Sequence, residues 1–116
     1  MNRHTRTCIA FVAGSVISGI KASSIYDYDR SRHLNFSGTL SESNVQIFDY
    51  ERSCHFGGRL PSLFDYGRNI DILLHIDKTS FGGYDYGDNE HFIGHVSNRS
   101  VSLYDFSESK YFNYNI

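Results

Sequence analysis

"VQIFDYERSCHFGGRL" (residues 45–60) consists of two short runs rich in apolar and aromatic residues, divided by the stretch Glu51-Arg52-Ser53-Cys54. Along the first run Val45, Ile47 and Asp49 alternate with Gln46, Phe48 and Tyr50. A two-residue period belongs to a β-strand, and two such runs joined by a few polar residues read as a hairpin.

The same hairpin recurs along the chain. IFDY (47–50) returns as IYDY (25–28), LFDY (63–66), GYDY (83–86) and LYDF (103–106), which places Asp27, Asp49, Asp65, Asp85 and Asp105 at spacings of 22, 16, 20 and 20 residues. Four polar or small residues follow (DRSR, ERSC, GDNE, SESK), then a second extended run: HLNFSGTL, HFGGRL, HFIGHV or YFNYNI. The third copy is looser, with GRNI and then DILLHI. Second runs carry an apolar-x-Gly-x-apolar pattern at Phe36-Gly38-Leu40, Phe56-Gly58-Leu60 and Phe92-Gly94-Val96, and Val12-Gly14-Val16 repeats it near the start. The chain thus divides into a half repeat at 8–21 and repeats at 23–44, 45–61, 62–80, 81–100 and 101–116, within one domain at 1–116.

These repeats predict an all-β fold, an antiparallel meander of about eleven short strands in tandem hairpins of ~20 residues, closed as a barrel or sandwich. A small β-solenoid is the alternative, but it would stack the aspartates about 4.8 Å apart, where like charges repel. The uneven spacings also suit hairpins better than rungs. No long stretch carries a helical period, so helix is expected to be nearly absent.

Composition narrows the function classes. Lys and Arg number 11 against 13 Asp and Glu, a net charge of −2 with no basic run, so nucleic acid is not an expected partner. The basic MNRHTR followed by the moderately apolar CIAFVAGSVISGI imitates a signal peptide, although Gly14, Ser15, Ser18 and Gly19 interrupt the apolar run. We read the segment as half a repeat, which leaves the compartment unknown, with the cytoplasm favoured and secretion the outcome if residues 1–22 act as a leader. No membrane span is expected. Cys8 and Cys54 belong to no ligand pair or CxxC motif, so idle thiols are expected, with a single disulfide the alternative.

Register decides which side chains are buried. A two-residue turn would set Tyr50 opposite His55, Asp49 opposite Phe56, Ile47 opposite Gly58 and Val45 opposite Leu60. On the other side, Leu40 would face Val45, Ile76 would face Phe81 and Val96 would face Val101. One face then collects Val45, Ile47, Phe56, Leu60, Phe92, Val96, Val101, Leu103, Phe112 and Ile116 as the predicted core, and the five aspartates share it. Bare buried carboxylates are costly, so Asp27, Asp49, Asp65, Asp85 and Asp105 are expected to accept turn amides or to point out at an open rim. A three-residue turn with a bulge would instead turn the aspartates outward and bury the rings.

The opposite face carries Tyr26, Tyr28, Tyr50, Tyr66, Tyr84, Tyr86 and Tyr104 with His33, His55 and His91, the candidate ligand-binding set. Rings interleaved with imidazoles offer stacking surfaces and hydrogen bonds suited to a carbohydrate or a protein. The pairs Asp27/His33, Asp49/His55 and Asp85/His91 invite an acid–base reading, but catalysis needs one asymmetric constellation and these recur. GGYDYGDN (82–89) superficially resembles the calcium loops of nonapeptide-repeat proteins without their period, so no metal and no cofactor is expected. The leading expectation is a non-enzymatic binding or structural module. A self-associating protein pairing through free terminal strand edges, and a small enzyme using Asp85 and His91 at a barrel end, are the alternatives.

Overall fold

Alternation along each run produces ten strands in the computed structural model, which describes Met1–Ile116. They are β1 (Ser24–Asp27), β2 (Arg32–Ser41), β3 (Asn44–Asp49), β4 (Cys54–Arg59), β5 (Ser62–Asp65), β6 (Ile70–Asp77), β7 (Ser80–Asp85), β8 (Glu90–Ser97), β9 (Ser100–Asp105) and β10 (Lys110–Asn115). Each pairs antiparallel with the next, and β10 returns to β1, closing an antiparallel meander into a barrel. Closure leaves neither terminal strand as a free edge, which removes the edge-pairing route to self-association.

The expected eleventh strand does not form. Residues 8–21 lie largely within α1 (Arg3–Ser18), a helix running through the barrel, and the expectation of almost no helix fails with it. The reason is enclosure. Cys8, Ile9, Ala10, Phe11, Val12 and Ala13 are all buried, so the segment is apolar on every side and shows no amphipathic stripe. A lone strand inside a closed barrel would have no partner for its backbone N–H and C=O groups, whereas a helix pairs them within itself. The caps were visible in the sequence: Asn2 accepts the N–H groups of His4 and Thr5 at 2.8 and 3.4 Å, and Gly19, left-handed at φ 73°, donates its N–H to Ser15.

The barrel's inner face and α1 share one core, with Phe11 stacked on Phe36 at 4.4 Å between ring centroids. All of the predicted core residues are buried except Leu60, which is half-buried in the β4–β5 turn. Inward glycines make room for rings across the sheet. Gly94 pairs with Phe81, and a Cβ there would lie 2.1 Å from the Phe81 ring. Gly38, at φ +123°, brings its backbone so close to β3 that a Cβ would meet the Gln46 carbonyl oxygen at 1.9 Å.

The two kinds of turn differ. Between hairpins the expected register holds, with Leu40 opposite Val45, Ile76 opposite Phe81 and Val96 opposite Val101. At the aspartate end the loops are longer, so Phe48 rather than Tyr50 faces His55 and Asp49 faces Cys54. The last loop residue takes a left-handed conformation in each case, at Ser31, Ser53, Asn69, Asn89 and Ser109. A slip of two residues preserves every face assignment, so the bulged alternative with outward aspartates is not adopted.

Candidate functional site

Each motif aspartate ends its strand pointing into the barrel, and all five are no more than 3% exposed. Oδ1 accepts the N–H two residues on: Asp29 to Asp27, Glu51 to Asp49, Gly67 to Asp65, Gly87 to Asp85 and Ser107 to Asp105, at 2.8–3.0 Å. Oδ2 is left facing inward, where cations meet it. Arg30 Nε donates to Asp27 and Arg52 Nε to Asp49, both at 2.8 Å, while Arg52 Nη1 reaches Asp65 Oδ2 at 3.1 Å and Oδ1 at 2.9 Å, and Arg68 Nη1 reaches Asp85 at 3.0 Å. Three hairpins therefore supply an arginine three residues after the aspartate, and it links successive turns.

In the last two hairpins that position holds Asp88 and Glu108. Asp85 is served by Arg68 of the third hairpin, and for Asp105 the positive charge comes from α1 and the residues before it: Arg6 Nη1 and the Met1 amino group each lie 3.1 Å from Asp105, and Met1 also bonds Ser107 Oγ. The Arg6 guanidinium lies 3.4 Å from the centre of the Phe112 ring. Thr5 Oγ1 donates to Asp65 at 2.6 Å. Burial works against ionisation of Asp105, but the Ser107 hydroxyl and the Met1 ammonium outweigh it and hold its carboxyl below the ordinary value. Burial pushes the Cys8 thiol well up, and Cys8 and Cys54 are both free, so the disulfide alternative is not adopted.

Outside the wall the rings form a girdle around this same end. Tyr26 packs edge-on against Tyr28 and His33, Phe48 against Tyr50 and His55, and Tyr84 against Tyr86 and His91, with centroids 4.7–5.1 Å apart. Phe64 with Tyr66, and Tyr104 with Phe106 and Tyr111, complete it. Tyr26, Tyr84 and Tyr104 are half-buried, whereas His33, His55 and His91 are exposed. Tyr28, Tyr50, Tyr66 and Tyr86 are 53–59% exposed.

Adjacent clusters enclose grooves because each loop aromatic docks on the preceding hairpin. Tyr66 donates its N–H to the His55 carbonyl, Tyr86 to Asp71 and Phe106 to His91, at 3.1–3.4 Å. One groove of about 500 Å³ lies over Gly57 and Gly58 between His55 and Tyr66, with Gln46 on its wall. A second, of about 970 Å³, is lined by Tyr84, Tyr86, His91, Glu90, Ile93 and Phe106 among others.

The paired Asp and His of each hairpin are not brought together. Asp85 faces the core opposite Glu90, while His91 faces outward opposite Tyr84, and the sheet separates them. No group of three or more His, Cys, Asp or Glu side chains is placed to hold a metal ion. No helix is long and apolar enough to cross a membrane. Sequence reasoning missed the arginines, although Arg30, Arg52 and Arg68 each stand three residues after a motif aspartate, and it missed Thr5 and Arg6, which local pattern could not connect to turns far along the chain. No known protein family, curated protein or solved structure matches this chain.

Proposed function

We propose that the protein is a non-enzymatic module that binds carbohydrate on its outer aromatic girdle. The observation that carries this reading is the exposure of Tyr28, Tyr50, Tyr66 and Tyr86, each more than half open to solvent in a barrel whose interior is already filled by α1. Rings that are not needed for the core remain free to stack on a ligand. Sugar rings present C–H faces to such aromatics and hydroxyls to neighbouring polar groups. The grooves supply both, with Tyr66 beside His55 and Gln46, and Tyr86 beside His75 and His91. Their sizes fall within the range of small-ligand sites.

Replacing Tyr84 and Tyr86 together by Ser is expected to weaken binding of the best ligand from an oligosaccharide panel at least tenfold, roughly the loss of one or two ring contacts. Calorimetric titration measures this, with circular dichroism to check that the double variant keeps its sheet. A wild-type protein that binds no sugar but captures a protein partner through the same tyrosines would replace the carbohydrate reading.

A further inference from the structure

We infer that the groove over β6, β7 and β8 selects an N-acetylated sugar, seating the acetamido group in the notch that Gly82 leaves between His75 and Ile93. The inference rests on the carbohydrate reading above and names the ligand class of one groove.

The notch follows from register. β7 lies between β6 and β8, and two of its outward residues centre adjacent rows across the three strands: Leu73, Tyr84 and His91 in one, His75, Gly82 and Ile93 in the other. The five side chains around Gly82 all line the groove. Gly82 itself has none, and a Cβ there would lie 3.4 Å from Ile93 Cγ2, so the depression opens directly beside the isoleucine.

This aliphatic surface is peculiar to one side of the barrel. On β2, β4 and β10 the residue that follows the inward Phe36, Phe56 or Phe112 is Ser37, Gly57 or Asn113, whereas the corresponding residues of β6 and β8 are Leu73 and Ile93. Ile93 is 50% exposed and is the one aliphatic among the large apolar side chains that stand open to solvent, the others being Tyr or Phe. Covering it is favourable in proportion to the apolar area removed from water. The occupant is uncharged, because no Lys or Arg lines the groove and Glu90, opposite the inward Asp85, belongs to the other face of the sheet.

An acetamido group offers a methyl beside an N–H and a C=O. In the notch its methyl covers Ile93 and its amide meets the imidazole of His75, which both donates and accepts when neutral. The pyranose ring then stacks on Tyr84. A hydroxyl in place of the acetamido group leaves Ile93 uncovered. The groove between His55 and Tyr66 provides the internal contrast, because its outward residues Gln46, His55 and Tyr66 include no aliphatic side chain.

The test titrates an N-acetylglucosamine oligomer and a glucose oligomer of the same linkage and length. Wild type, Ile93→Ser, Leu73→Thr and, as a control at the corresponding position of β2, Ser37→Ala are compared, with melting temperatures to verify folding. The wild type is expected to prefer the N-acetylated oligomer by about tenfold, the value of one covered methyl and one hydrogen bond. Ile93→Ser should cut that preference at least about threefold while leaving affinity for the glucose oligomer unchanged, since only the methyl contact is lost. Leu73→Thr should act in the same direction, and Ser37→Ala should retain the full preference. Equal wild-type affinity for the two oligomers, or a preference that survives Ile93→Ser undiminished, overturns the inference and leaves the carbohydrate reading standing. Binding of neither oligomer, nor of any other sugar in the panel, overturns both. A leucine-rich peptide that binds more tightly than either oligomer, and loses affinity in Ile93→Ser, assigns the groove to an apolar protein segment instead.

Discussion

Asp65 joins three parts of the molecule through one side chain. Its Oδ1 accepts the N–H groups of Gly67 and Arg68 at 2.9 and 3.3 Å, and its carboxylate also takes Arg52 Nη1 from the neighbouring loop and Thr5 Oγ1 from α1. Removing it leaves the guanidinium of Arg52, only 13% exposed, facing a vacant carboxylate position. Arg52 keeps Asp49 at 2.8 Å, so Asp65→Ala is expected to destabilise the fold by about 1–3 kcal/mol, the cost of leaving buried donors without their acceptor. Asp65→Asn keeps the turn acceptor and should cost less. Urea unfolding of both variants measures the difference. Sequence alone supports the turn role, because an Asp followed by small polar residues predicts an Asx turn. It could not show that the second carboxylate oxygen is neutralised, since the donors come from another hairpin and from the helix.

At the scale of elements, the hairpins were legible and the helix was not. Val45, Ile47 and Phe56 fall on one face in the sequence pattern and lie on one face in the barrel, because a two-residue register slip cannot move a side chain through a sheet. The segment at 8–21 shares the glycine pattern of the strands, yet its residues 9–13 are buried on all sides within the core. Gly14 shows what the helix requires: a Cβ there would lie 2.8 Å from Val101 Cγ2 and 3.1 Å from Ile116 Cγ2. Gly14→Val should destabilise by about 1–3 kcal/mol, since an overpacked core resists added methyl groups and a β-branched residue is no strong helix former. Thermal unfolding of the variant against wild type checks the value, and an increase in stability would mean that α1 has slack within the barrel.

At the scale of the whole molecule, closure rests on a short seam, with Tyr26 opposite Asn115 and Asp27 opposite Tyr114. Tyr114 is 1% exposed, its hydroxyl lies near Thr7 and Arg6 without a well-formed hydrogen bond to either, and burial pushes its pKa from 10.0 up to about 12. The neutral phenol is the form the folded barrel favours, so this contribution is present in full below pH 10.0 and is lost as pH rises through about 12. Stability should fall by up to about 3 kcal/mol across that window. Tyr114→Phe should remove this part of the alkaline loss at little or no cost near neutral pH, because the hydroxyl satisfies no partner. Urea melts at increasing pH distinguish the two proteins. The sequence by itself determined the strand period, the inward and outward faces and the aspartate turns, because each follows from chemistry within a few residues of the chain. Only the tertiary structure decided the rest. Closure surrounded residues 9–13 with apolar wall and so favoured a helix there, it brought cations from distant positions to buried carboxylates, and it set each loop aromatic beside the previous hairpin to form the grooves.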